Sequence, residues 1–205
     1  MGSEMCIRDR NREDRNMALW GVSDADESKP KYLSDADKKN CIAKSEGWVL
    51  KKTVGSRNLE EILVATGADL SVGIGQADIV EIDFVSTAFD KSDGGTLSAK
   101  VFFNENVTVS GTPQLSVTNG NEGTGSGRGP HVLSYASGST TNELVFSLAI
   151  GAANAATNEN DVLSIGANCV SLNGGTIVDS VGGGNATITS SADIGTAAGT
   201  ITVAA

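Results

Sequence analysis

Carboxylates are the side chains of this sequence whose type and spacing come nearest to a chemistry. They recur in close pairs, Asp24/Asp26, Asp35/Asp37, Glu81/Asp83 and Asp90/Asp93. Glycoside hydrolysis needs two carboxyls facing each other across a cleft at about 5 to 10 Å, a separation that neighbours on one loop or strand do not establish. Calcium needs about six to eight oxygen ligands. The loop Asp90-Lys-Ser-Asp93-Gly94-Gly95 offers some of them, and Asp90 and Asp93 with Glu105 make a candidate calcium site, the one cofactor the residues suggest. The plainer reading of that loop is a polar turn in which Asp side chains fold back onto backbone N–H groups.

Other reactive groups are sparse. His131 is the single histidine and follows the glycine-rich run Gly123–Pro130, so it reads as a loop or strand-start residue. That run lacks the Gly-Lys-Ser/Thr ending of a phosphate-binding loop, and no Gly-x-Ser-x-Gly nucleophile elbow occurs. Cys6, Cys41 and Cys169 have no paired spacing, which leaves free thiols as the expectation. Asn106-Val-Thr and Asn185-Ala-Thr fit glycosylation acceptors but carry little without a secretory signal. No acid/base constellation converges, and a non-enzyme is expected.

The elements that position these residues are strands. Aromatics make up only 4 % of the 205 residues while glycine contributes 25, a mix that favours strands and tight turns. From residue 78 onward the apolar period is two. Val80, Ile82 and Phe84 share one face, as do Leu97, Ala99, Val101 and Phe103, then Leu144, Phe146, Leu148 and Ile150. Turn clusters such as Asn173-Gly-Gly and Gly182-Gly-Gly separate further short runs near Leu163, Ile177, Ile188 and Ile201. Many short alternating strands with few helical segments predict an all-β, antiparallel β-sandwich over residues 78–205. Residues 71–205 hold three basic residues against twelve acidic ones, which disfavours nucleic acid as a partner. No apolar run is long enough to span a membrane.

The N-terminal third reads differently. Residues 1–16 alternate charges without an apolar period and are expected to be disordered. Residues 17–70 read as a small module. Ser34 caps a short helix of two to three turns, and Gly47–Val54 and Leu59–Ala65 form a hairpin around Gly55, although Leu59, Ile62 and Leu63 also fit one helical face. A module this size has difficulty burying enough surface alone. Trp20, Tyr32 and Trp48 are its expected interface anchors, toward other virion proteins or a second copy. The glycine-rich stretch around 71–77 is the expected linker.

Three stretches carry a resemblance. FFNENVTVSGTPQLSV, then LSYASGSTTNELVFSLAI, then CVSLNGGTIVDSVGGGNAT resemble, in that order, the bacterial Ig-like repeats of large surface adhesins, over roughly residues 78–190. Where that family often has Gly-Asp ahead of its second strand, this chain has Gly94-Gly95. MALWGVSDADESKPKYL, EGWVLKK and EILVA are similar to the opening module of virion structural proteins from marine tailed phages of the T4-like group. MCIRDR resembles translated sequencing adapter, which would make Met17 the start and environmental DNA the source. Together these resemblances imply a phage virion structural protein. It would be assembled in the host cytoplasm and then extracellular, displaying an Ig-like domain for weak attachment to host-surface carbohydrate. The alternative they imply is a fragment of a bacterial cell-surface adhesin.

Overall fold

The computed structural model describes residues 30, 32–65, 69–120 and 130–205. The stretch 1–16, the pair Asp24/Asp26, Trp20 and the run Gly123–Gly129 lie outside the described residues. The fold is all-β and sandwich-like, with a small module at its N-terminal side.

In the module, the Ser34 hydroxyl accepts the Asp37 N–H at 3.2 Å and caps α1 (Asp35–Lys38). The helix ends after one turn, shorter than expected. Cys41, Ile42 and Ala43 are buried in succession, which an extended strand covered on both faces satisfies and a helical stripe does not. They form β1 (Cys41–Lys44), antiparallel to β2 (Gly47–Val54), which pairs in turn with β3 (Arg57–Ala65). The expected hairpin is present, turning through Gly55, and β1 adds a strand to it. One face of this sheet packs Cys41, Ala43, Trp48 and Leu50 against Leu70 from α2 (Leu70–Gly73). The expected linker is therefore packed: Leu70 and Ser71 are buried in α2, and Ala77 belongs to the sandwich core.

The second sheet comprises β4 (Ile79–Phe84), β5 (Phe89–Asp90), β6 (Gly95–Ser110), β7 (Gln114–Gly120), β8 (His131–Ser137), β9 (Thr141–Ile150), β10 (Val162–Ser171), β11 (Thr176–Asp179) and β12 (Thr200–Ala204). Its hydrogen-bonded order is β11-β6-β9-β8-β7-β10-β12-β5, with β4 also on β6. Phe103 and Phe146, both fully buried, join Leu133, Leu163, Ile201 and side chains of every other strand in one core. Strands so far apart in the hydrogen-bonded order share a core only if the sheet folds over on itself. The crossing from β6 to β7 runs through Gly111-Thr-Pro113. Gly111 has φ +76°, and a Cβ there would lie 2.8 Å from the Cα of Gly175, so only glycine fits. Between the named strands pairing is antiparallel except for β5 with β12, a parallel contact that joins the C-terminal strand to Phe89 and Asp90. The helix α3 (Ala192–Ala197) packs on both β10 and β4 and covers the open side between them.

The two sheets meet along β6 and β9. Ile42 and Val49 are buried on the face opposite Trp48, where β1 lies against β6. The buried Asn142 amide donates to the Lys39 and Phe103 carbonyls, and its oxygen accepts from Lys51 at 2.9 Å. Lys39 pairs with Asp83 and Glu81 and lies 5.3 Å above the Phe102 ring.

Candidate functional site

Two places hold side chains that the fold does not fully absorb: a buried acidic corner of the sandwich and the outer strand of the module. The corner arises where the β6–β9 register breaks between Phe102 and Val107 and turns Asn104 and Glu105 inward, each 1 % exposed. Asn104 brackets Asp78, donating its N–H to the Asp78 carbonyl and accepting the Asp78 N–H on its side-chain oxygen at 2.7 Å. Pairing of β11 with β6 sets Asp179 opposite Val107, and so brings a second carboxyl, also 1 % exposed, to Glu105.

Asp179 orients itself by accepting the N–H groups of Val181 and Gly182 on Oδ1, at 2.7 and 2.9 Å. Its Oδ2 and both Glu105 oxygens receive no N–H or hydroxyl. Two buried carboxylates in contact repel, and a proton held by Glu105 converts the pair into an O–H···O⁻ bond. Burial above all, then the charges of Asp179, Asp78 and Asp69, pushes the Glu105 carboxyl up to about 9. At neutral pH the Glu105 carboxyl is thus a neutral acid facing the Asp179 side chain.

The expected calcium site does not assemble. Asp90 and Asp93 sit in the turn that leads into the start of β6, whereas Glu105 lies ten residues along that strand, about 30 Å away at the rise of extended chain. The Asp90 carboxylate instead accepts the Ser92 N–H and hydroxyl and the Asp93 N–H, and the Ser92 bonds hold it below the usual carboxylate range. Among the described residues no three His, Cys, Asp or Glu side chains are placed to hold a metal ion. Glu81 and Asp83 are engaged by Lys39. His131 opens β8, is buried, and contacts the Thr157 hydroxyl through Nε2 at 3.2 Å. Burial lowers its pKa, opposed in part by the charge of Asp161.

Of the expected interface anchors, Trp48 is fully buried in the core of its own module and offers nothing to a partner. Its Gly-Trp-Val-Leu context reads equally as core, and burial decides it. Tyr32 is 73 % exposed, and Trp20 lies outside the described residues. The exposed surface that sequence reasoning missed is β3, whose residues 57–62 are all exposed, with Leu59 at 48 % and Ile62 at 55 %. Its inner edge pairs with β2, and among the described residues no strand lies along its outer edge. Lys44 and Lys52 reach Glu60 and Glu61 on it at 2.5 and 2.7 Å. Between the β2–β3 hairpin and the β8–β9 hairpin runs an open cleft of about 920 Å³, lined by Lys51, Asn58, Glu60, Asn142 and Glu143 among others. The signal available beforehand was the run Leu59-Glu-Glu-Ile62, which fits neither a half-buried strand nor a covered one.

No protein-family model, curated protein or solved structure matches this chain. No helix among the described residues is long and apolar enough to cross a membrane.

Proposed function

We propose that this chain is a non-enzymatic structural protein of a tailed-phage particle. In this reading the module ahead of the sandwich is the attachment and association element, and the sandwich is an Ig-like domain displayed to solvent for weak contact with host-surface carbohydrate. The observation that carries it is the uneven exposure of apolar surface. Tyr32, Val54, Leu59 and Ile62 project from the small module, whereas the much longer sandwich exposes only valines among its described large apolar side chains, Val85, Val132 and Val181, and each of its strands contributes to one core. Large apolar side chains exposed together in one small module favour a contact surface there. The phage setting and the carbohydrate rest on the resemblances of residues 17–70 and 78–190 to virion modules and adhesin repeats. Sequencing the DNA on either side tests the setting. Tail or capsid genes are expected; a single long frame of Ig-like repeats with an export signal would replace this reading with a bacterial adhesin.

A further inference from the structure

We propose that β3 pairs edge to edge with β3 of a second copy, antiparallel about Leu59, so that two modules share one sheet running β1-β2-β3-β3-β2-β1. The inference deepens the reading of the module as an association element and rests on it. Its first support is a contrast among sheet edges. The other edge strands are short, with four residues in β1 and β11 and two in β5, and the six-residue β4 lies against α3. Only β3, nine residues long, offers a sustained row of outward N–H and C=O groups among the described residues. It carries no proline and no lysine, its charged residues are Arg57, Glu60 and Glu61, and its bulge lies opposite Trp48 and Val49, away from residues 57–61.

The second support selects the occupant. Arg57, Leu59 and Glu61 project from one side of β3, since side chains alternate along a strand. About a two-fold axis at Leu59, Arg57 of each copy faces Glu61 of the other and the two leucines meet, so the segment is complementary to itself in charge and in apolar contact. Moving the axis to Glu60, to Glu61 or between them sets glutamates opposite glutamates. Lys52 reaches Oε2 of Glu61, and a carboxylate has two oxygens, so Glu61 can also take Arg57 of the second copy.

The test is sedimentation of the full chain and three variants, with circular dichroism to establish that each variant is folded. The parent is expected to dimerise with concentration. Glu61→Arg faces Arg57 with a like charge twice in each dimer and should weaken association by about tenfold, at the upper end for cross-strand charge pairs. Arg57→Glu combined with Glu61→Arg restores the complement with signs exchanged and should recover the dimer; merely losing the Lys52–Glu61 pair would not be rescued in this way. Leu59→Cys, in a Cys6→Ser background with Cys41 and Cys169 buried, should form a disulfide between copies, because only the axis at Leu59 brings that residue onto itself. A dimer indifferent to Glu61→Arg, or one in which Leu59→Cys stays reduced, overturns the β3 pairing while the module remains the association element. A chain monomeric at every concentration overturns the pairing and leaves attachment to other proteins as the module's role.

Discussion

The two sheets of this protein handle the same physical problem in opposite ways. The large sheet folds over until its edge strands are short or covered, and Phe103, Phe146 and their neighbours lose all contact with water. The small sheet buries both faces of β1 and of the first half of β2, yet its last strand stands out with Leu59 and Ile62 exposed. Fewer strands cannot close on themselves, so a small sheet borrows cover: from the sandwich on one face, from α2 on the other and, in the proposed dimer, along its outer edge from another chain.

The contrast breaks most visibly if the large core is not what holds the sandwich. Phe146→Ala removes a fully buried ring packed edge-to-face with Tyr135 and should cost about 3 to 5 kcal/mol in chemical denaturation. Leu59→Ala on the exposed strand should change the stability of the monomer by no more than about 0.5 kcal/mol. Equal losses would erase the distinction between the two sheets.

The acidic corner sharpens it next. Folded, Glu105 keeps its proton up to about pH 9, whereas its ordinary value is 4.5. Between those limits the unfolded chain releases a proton that the folded chain retains, so raising the pH favours unfolding. The contribution is fully present below about pH 4.5 and is lost as pH rises toward 9, at no more than about 1.4 kcal/mol per pH unit. Glu105→Gln keeps a donor for Asp179 without a titrating proton. Its denaturation midpoint should vary less between pH 5 and 9 than the parent's; an unchanged dependence would show that the pair does not share a proton.

Smaller effects belong to the seam between the sheets. Asn142→Ala leaves Lys51 and the Lys39 and Phe103 carbonyls without this partner and should cost about 1 to 3 kcal/mol. Hydrogen exchange should then quicken in β1 and β2 ahead of β9. Uniform quickening across the chain would mean that the sheets unfold as one.

What the sequence disclosed follows from where the physics is local. Alternation along β6 and β9 is a two-residue period with one wet face, and it reads directly as strand and core, as do the turns at Gly55 and Asn173-Gly174. The strand β1 hid because Cys41, Ile42 and Ala43 are buried on both faces and so alternate in nothing. The parallel contact of β5 with β12 joins residues more than a hundred positions apart and has no local signature. The same holds for the acidic corner: the sequence suggested Glu105 as a calcium ligand beside Asp90 and Asp93, whereas Asp179 reaches it only through the β6–β11 register. Trp48 misled because a tryptophan in a small module serves equally as core or as anchor, and only burial separates the two.

The division of labour is tested most directly by sedimentation and thermal unfolding of residues 77–205 beside the full chain, a cut that retains Ala77 in the sandwich core. The account predicts that the fragment unfolds cooperatively and stays monomeric at concentrations where the full chain associates. A fragment that is unfolded, or one that associates as strongly as the full chain, would contradict it.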